Sequence, residues 1–421
     1  VFRAALDRVA DLLVPELGLD LRTLLFAGPA EAAGEAKGGG GKLDLKRMLG
    51  RAKSDDPAER ELARTAIAQP ALFAVQIALA ELVQSWGLVP KGLVGYSLGE
   101  YVAATVGGLF DLETATRLVA RRARLIETLE AGAMLAVPLA EDELAPWLGP
   151  EISLAAVNGP QQCVLAGPVP VIALEARMSE AGLATRRLAT THAFHSSMME
   201  RLLEPFRVEL ASLVPQAPTV PWLSNVTGSW IEAEDVADPD YWARHLVSPV
   251  RFDRAAEQLA ASGNVVFFEL GPGTTLGALL LQHPAFAGKR PRVVSALRHA
   301  YETQADGAHL LESLGRLWLS GVEPRWTELH RRALDQTPRR LRMRLPTYPF
   351  DRHVYWVESR AASYTDAVRA LGAGSAGSGA AGREASGLVG SGLCWLPGWR
   401  RDPLSRMPAA RPDGAPTRWL V

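Results

Sequence analysis

Apolar residues recur along the chain with two periods, which predict alternating helices and strands. A period of about 3.6 residues predicts helices over residues 1–18, 58–86, 101–110, 112–129, 196–213 and 308–319. Short apolar runs predict strands over residues 92–95, 220–224 and 265–270. Strands that alternate with helices favour a mostly parallel sheet covered on both faces, which is an α/β fold.

Residues 133–189 have a different pattern of apolar runs. Short apolar runs predict strands over 133–139, 152–157, 163–166 and 183–189, with helices over 141–148 and 169–182. This β-α-β-β-α-β order is typical of a ferredoxin-like unit. We therefore expect a small ferredoxin-like subdomain at about 131–194, inserted into a larger α/β-hydrolase-like subdomain.

The amino-acid composition limits the kinds of partner that the chain is expected to bind. With 48% hydrophobic residues, 22% charged residues and a formal net charge of −1, the chain is typical of a globular protein. Its basic residues are scattered, so we expect no nucleic-acid partner. The two cysteines, Cys163 and Cys394, argue against a disulfide framework or a cysteine-rich metal site and fit a cytoplasmic setting. No uninterrupted apolar run reaches the roughly 18 residues needed to span a membrane, so we expect no membrane partner.

The two ends of the chain indicate neighbouring segments. The predicted first helix is already under way at Val1, so we expect the natural start to lie upstream. Residues 357–392 include a Gly/Ala/Ser-rich stretch typical of a flexible linker. Two apolar runs follow, at 393–400 and 419–421, and each is interpreted as a strand of a further domain.

A G-x-S-x-G pattern supplies the first candidate for chemistry. In Gly95-Tyr96-Ser97-Leu98-Gly99, an apolar strand leads in and a buried helix leads out. This is the setting of a nucleophile elbow, a sharp strand-to-helix turn that presents a reactive serine. The N–H of Leu98, at the start of the helix, would stabilise an oxyanion.

A nucleophilic serine needs a base, and histidine is the usual one. His192 and His195 lie where the small subdomain returns to the large one, and the residues alone do not choose between them. Four arginines on the helix after the serine, at positions 117, 121, 122 and 124, offer a partner for a substrate carboxylate. The same four arginines would equally suit a solvated helix face.

Seven motifs together resemble the malonyl-transferring acyltransferases of modular type I polyketide synthases. They are QPALFAVQ (69–76), GYSLGE (95–100), AVNGP (156–160), HAFHS (192–196), SNVTG (224–228), PVRF (249–252) and ELGPG (269–273). The resemblance covers an acyltransferase domain at residues 1–300. LPTYPFDRHVYW (345–356) resembles the segment that follows such domains, which gives a post-acyltransferase linker at 301–356. Residues 393–421 resemble the start of a ketoreductase structural subdomain.

The resemblance implies a reaction. A malonyl unit moves from malonyl-CoA to the serine, and then to the phosphopantetheine thiol of an acyl carrier protein. No bound cofactor and no metal are implied, because the coenzyme A thioester is a substrate. The implied partners are the carrier protein and covalently linked ketosynthase and ketoreductase domains.

The resemblance also assigns roles to residues. Ser97 is the nucleophile and His195 its base, oriented by a main-chain carbonyl at the position of Arg251. Arg122 binds the malonyl carboxylate, and the remaining pocket residues are Gln69, Leu98, Asn158 and Phe194. Phe194 fills the space of a 2-methyl group and so favours malonyl over methylmalonyl. Relatives also begin with a strand and a Gly-Gln-Gly-rich turn that completes the oxyanion hole, and this part is expected upstream of Val1.

Two other interpretations remain open. A serine hydrolase or thioesterase would use the same serine and histidine with water as acceptor. An inactive scaffold domain would keep the fold without the chemistry. Tyr96, where relatives commonly have histidine, is expected to tune activity without abolishing it.

Overall fold

The computed structural model describes residues 1–26, 57–169, 171–211, 213–238, 240–299 and 302–329, with the backbone of 418–420. Its helices are α1 Phe2–Leu17, α2 Leu21–Leu25, α3 Pro57–Leu62, α4 Thr65–Ser85, α5 Leu98–Val106, α6 Leu112–Glu127, α7 Val171–Glu180, α8 Leu203–Leu210, α9 Ala233–Ala237, α10 Tyr241–Val247, α11 Phe252–Ala261, α12 Thr275–Gln282 and α13 Asp306–Leu319. Its strands are β1 Leu93–Val94, β2 Gly132–Val137, β3 Ser153–Gly159, β4 Gln162–Pro168, β5 Arg186–Arg187, β6 Trp222–Leu223, β7 Val250–Arg251, β8 Val265–Glu269, β9 Arg292–Ser295 and β10 Arg418–Leu420. Among the described residues, short 3₁₀ turns span Glu141–Leu144, Ser197–Leu202 and Pro284–Phe286.

The small subdomain has the predicted ferredoxin-like sheet. Its strands run in the order β5-β2-β4-β3, and neighbours are antiparallel. The predicted helix at 141–148 is only the 3₁₀ turn Glu141–Leu144, and the predicted strand at 183–189 pairs only at Arg186–Arg187. A fifth strand, β7, extends the sheet by pairing parallel to β3. The sequence does not predict this strand, because two residues are too few to show a repeating pattern of apolar positions.

In the described part of the larger subdomain, the predicted parallel strands form two separate ladders. β1 pairs parallel with β6, while β8 lies between β9 and β10 and is parallel to both. An apolar cavity of about 390 Å³ lies between β1 and β8, and its walls include Leu93 and Phe267. A strand predicted at 419–421 as part of a further domain is observed as β10, shifted by one residue, and it pairs with β8 of the larger subdomain.

Helix α4 forms the centre of the main core. Its Phe73, Ala74 and Ala78 are fully buried, and α1 and α6 pack along it. With 21 residues and a mean hydropathy of 1.7, α4 is long and apolar enough to cross a membrane, although no uninterrupted apolar run was found in the sequence. Of its most apolar window, 67% is buried inside the protein, as in the core helix of a globular fold.

Several predicted segments lie outside the described residues. They are the segment 345–356 and the linker at 357–392, together with the predicted strand at 393–400. The predicted domain boundaries after residue 300 therefore stay predictions.

Candidate active site

Ser97 sits on a sharp turn between β1 and α5. Its backbone has φ 50° and ψ −108°, a conformation that costs a non-glycine residue on the order of 1–3 kcal/mol. Gly95 makes the turn possible, because a Cβ there would lie 2.0 Å from the carbonyl carbon of Gly99. A Cβ at Gly99 itself would meet nothing within 4 Å. The strained serine and the close backbone contact match the predicted nucleophile elbow.

His195 is the histidine that reaches the serine. Its Nε2 lies 2.7 Å from the Ser97 Oγ, within hydrogen-bond distance. His192 is also buried, but its Nδ1 lies 2.9 Å from the hydroxyls of both Thr65 and Thr191. Of the two histidines that the residues alone left open, His195 is therefore the one within hydrogen-bond distance of Ser97.

The Nδ1 of His195 donates to the carbonyl of Ser248 at 2.9 Å. This hydrogen bond places the proton on Nδ1 and leaves Nε2 free to accept the serine proton. The prediction that Arg251 supplies the orienting carbonyl is wrong in position by three residues. Ser248 ends α10 in an extended conformation beside the imidazole, whereas Arg251 lies in β7, where its N–H donates to the carbonyl of Asn225 and its side chain pairs with Glu141.

The electrostatic surroundings keep His195 neutral. Burial, followed by the charges of His245 and Arg122, lowers the pKa of His195 from 6.5 to about 3. A buried imidazole loses hydration when it becomes charged, and neighbouring cations disfavour its protonation further. His195 therefore carries no charge near neutral pH when the site is empty.

Arg122 differs from the other three arginines of α6. Arg117 and Arg124 are exposed and Arg121 is half-buried, and each of the three lies within 4 Å of a glutamate. Arg122 is 2% exposed, and within the described part of the chain no carboxylate pairs with it. Only one of the four arginines therefore points a charge into the core.

Polar and aromatic groups surround the Arg122 guanidinium. It donates to the Oε1 of Gln69, lies 5.3 Å over the ring of Tyr101, and has an Nε without a partner among the described residues. Burial lowers the pKa of Arg122, since the charged form loses hydration. Unpaired buried charge is costly, and a bound anion would relieve that cost.

The other predicted pocket residues occupy different sides of the elbow. Leu98 opens α5, and the first N–H of a helix has no partner within the helix. Phe194 is half-buried next to His195 and packs against the cores of both subdomains. Asn158 lies on β3, where its Oδ1 accepts from the Tyr96 hydroxyl at 2.9 Å. Both Tyr96 and Asn158 line a cleft of about 730 Å³ between the small sheet and α12.

Several residues of the site were missed by sequence reasoning. The Ser97–His195 pair is contacted by Ser248, His245 and Asn225, and Glu100 contacts Asn225. Glu100 and Asn225 fall inside the motifs GYSLGE and SNVTG, so they were visible as motif members without a role. Nothing in the residues signalled Ser248, because it contributes only a backbone carbonyl.

Comparison with known families agrees with this geometry. The family model described as "Acyl transferase domain" matches residues 1–324. The chain belongs to this acyl transferase family. The match covers every residue placed at the site above, together with both subdomains.

Relatives of this acyl transferase domain are polyketide synthases. The chain is 41% identical over 313 residues to a phenolphthiocerol/phthiocerol polyketide synthase subunit of Mycobacterium tuberculosis strain H37Rv, covering 74% of the chain and 21% of that protein. It is 35% identical over 382 residues to the spectinabilin polyketide synthase system protein NorB of Streptomyces orinoci, covering 88% and 16%. The chain thus spans about a fifth or less of these relatives.

Solved structures of acyl transferase domains superpose well on this chain. The domain of SpnD, in complex with 2-(pent-4-yn-1-yl)malonyl, aligns with a TM-score of 0.65 at 35% identity over 76% of this chain and 70% of that one. The domain from the second module of the salinomycin polyketide synthase aligns with a TM-score of 0.66 at 35% identity, over 83% and 73%. The predicted α/β fold is therefore confirmed.

Proposed function

We propose that this acyl transferase domain carries a malonyl unit from malonyl-CoA to the phosphopantetheine thiol of an acyl carrier protein. Ser97 would hold the unit between the two half-reactions. The single observation that carries this proposal is the buried guanidinium of Arg122, which has no acidic partner among the described residues and which lowers the pKa of His195. A buried cation whose charge acts on the proposed base suits an acyl group that bears its own carboxylate.

In the first half-reaction, the Nε2 of His195 takes the hydroxyl proton as the Ser97 oxygen attacks the thioester carbonyl. The carbon–sulfur bond breaks, and His195 returns the proton to the leaving thiolate to give free coenzyme A. The Leu98 N–H at the start of α5 is aimed at the oxyanion that develops. Arg122 and its neighbour Gln69 bind the malonyl carboxylate throughout.

In the second half-reaction, the carrier thiol loses its proton to His195 and attacks the malonyl ester. The carbon–oxygen bond breaks, and the Ser97 oxygen recovers the proton. The cleft of about 730 Å³ lined by Tyr96 and Asn158 is within the range of small-molecule sites and would hold the pantetheine arm in both steps.

The choice of malonyl over methylmalonyl is assigned to Phe194. Its half-buried ring is adjacent in sequence to the base and packs between the two subdomains. A bulky ring there would crowd a 2-methyl group. One methyl in an apolar pocket is worth about 1–3 kcal/mol, so we expect a preference on the order of 10–200-fold.

The proposed partners follow from the relatives, which are multidomain synthases. A ketosynthase and a ketoreductase would be linked to this domain in one chain, in a cytoplasmic setting and with no cofactor bound by the domain itself. The SpnD domain offers a parallel, since its structure is of a complex with a substituted malonyl group.

The test compares the acceptors. The full chain is loaded with malonyl-CoA and then given either a carrier protein bearing phosphopantetheine or buffer alone. Transfer to the carrier at least tenfold faster than release to water supports the proposal. Equal rates would favour the hydrolase interpretation, and an absence of any loading would favour the inactive scaffold.

A further inference from the structure

Both members of the catalytic pair have unusual backbones. Among the described residues, non-glycine positions with positive φ are Ser97, His195 and Arg290. Such conformations persist only where the surrounding structure holds them in place. The Ser97–His195 contact therefore depends on groups that fix the strained turn at the serine.

One side chain contacts the turn on both sides of Tyr96. The Oδ1 of Asn225 accepts the Ser97 N–H at 2.6 Å, and its Nδ2 donates to the carbonyl of Gly95 at 2.8 Å. A carboxamide is the side-chain group that can accept one hydrogen bond and donate another along the same edge. Asn225 is 5% exposed, so water does not readily replace either contact.

A buried carboxylate holds Asn225 in turn. The Asn225 N–H donates to the Oε2 of Glu100 at 2.8 Å. Glu100 lies in the first turn of α5, three residues after Ser97, and is fully buried. Its Oε1 accepts from the Nε1 of Trp222 at 3.1 Å and from the hydroxyl of Tyr241.

These contacts close a ring of interactions around the elbow. Glu100 belongs to the helix that the elbow begins, while Asn225 belongs to the loop after β6, the strand that pairs with β1. The backbone of the Asn225 loop is fixed at a second point, where the Asn225 carbonyl accepts the N–H of Arg251. Both ends of the turn are therefore tied to the same loop.

We propose that Asn225, held by Glu100, is a positioning residue that keeps the Ser97 hydroxyl in line with His195. Neither residue touches the reacting atoms. This inference rests on the proposed function only where acylation of Ser97 by malonyl-CoA is measured. The alignment of Ser97 can also be measured with a general serine reagent.

Replacing Asn225 with alanine removes both contacts to the turn and leaves Arg122 and the cleft intact. A displacement of about 1 Å in a reacting group can cost on the order of 100-fold in rate. We therefore expect Asn225→Ala to lower kcat for acylation by about 10–100-fold while KM changes less than about threefold. Asn225→Asp would not rescue activity, because its second oxygen would face the Gly95 carbonyl.

Glu100→Gln tests the second half of the proposal. The carboxamide nitrogen of glutamine would face the N–H of either Trp222 or Asn225, so one donor loses its acceptor in each orientation. We expect a decrease in kcat of about 3–30-fold through displacement of Asn225. In an Asn225→Ala background the same change should have little further effect, which is the non-additivity of residues that act as a unit.

The experiment measures the modification of Ser97 by phenylmethylsulfonyl fluoride in the full chain, followed by intact mass. The same variants are then assayed with malonyl-CoA. Ser313→Ala is the matched control, since it removes a buried hydrogen bond to the carbonyl of Ser295 far from the elbow in sequence. Melting temperatures of all variants are recorded.

The proposal is supported if Ser97 is sulfonylated more slowly in Asn225→Ala than in the wild type. In that case Ser313→Ala should react at the wild-type rate even though its melting temperature falls by a similar amount. Sulfonylation at the wild-type rate, or loss of reactivity that only follows melting temperature in both variants, overturns it. Should Asn225→Ala not fold, an unchanged rate in Glu100→Gln overturns the proposal and a slowed rate supports it. A wild type that is sulfonylated but not loaded by malonyl-CoA would contradict the proposed substrate and leave the positioning role measurable.

Discussion

Removing the Arg122 guanidinium should weaken the proposed preference of the site for acyl groups that carry a carboxylate. Arg122 is 2% exposed and has no acidic partner among the described residues, so a bound carboxylate would be its counter-charge. A hydrogen bond to a charged group is worth about 1.5–3 kcal/mol. At about 1.4 kcal/mol for each factor of ten, Arg122→Ala should lower kcat/KM for malonyl-CoA by about 10–150-fold.

Activity toward acetyl-CoA should be unchanged or higher in the same variant, since acetyl has no carboxylate to lose. The pKa of His195 should also rise, because Arg122 is one of the charges that lower it. The assay loads the protein with an equal mixture of malonyl-CoA and acetyl-CoA and compares the two acyl masses on Ser97. Arg121→Ala is the control, since Arg121 is on the same helix and pairs with Glu209 at the surface. An unchanged malonyl-to-acetyl ratio in Arg122→Ala would refute the assignment.

Four further predictions concern the base and the choice of extender unit. His195→Ala should slow loading by about 10²–10⁴-fold, and His192→Ala should slow it much less. The release of coenzyme A, followed by stopped flow, measures both rates. The reverse order would contradict the role inferred from the 2.7 Å contact between His195 and Ser97. Because the pKa of His195 is lowered to about 3, kcat/KM for acylation should stay flat from about pH 8 to about pH 5, and a halving near pH 6.5 would show that the base titrates normally. The free energy of unfolding, in contrast, should depend on pH in this range. As the pH falls below 6.5, His195 becomes protonated in the unfolded chain but not in the folded protein, so the free energy of unfolding should decrease. A series of denaturant melts at different pH values measures this dependence, which should be weaker in His195→Ala. Phe194→Ser should narrow the preference for malonyl-CoA over methylmalonyl-CoA in a competition read by mass, and equal loading of the two by the wild type would defeat the steric explanation.

The fold could be predicted where the apolar pattern was long. The helix around α4 and the ferredoxin-like strand order follow from period and turn residues, and both are present. The parallel sheet was predicted as one layer, whereas the described strands form two ladders with β10 beside β8. Pairing between strands of two residues depends on tertiary contacts and leaves no period in the sequence.

The site could be predicted where a side chain carries the chemistry. Ser97 and the arginine-rich helix followed from residue types, whereas His195 and Arg122 needed the family resemblance to be singled out. The orienting carbonyl was placed at Arg251 and lies at Ser248. A main-chain acceptor can come from any residue, so its position is set by how α10 ends and not by residue type.

The most direct test of the proposed function is the covalent intermediate itself. The wild-type chain and Ser97→Ala are incubated with malonyl-CoA, and the intact masses and the modified peptide are determined. The proposal predicts one malonyl group on the wild type, located at Ser97, and none on Ser97→Ala. A malonyl group that persists at the wild-type rate on Ser97→Ala, or a wild type that is never modified, would contradict it.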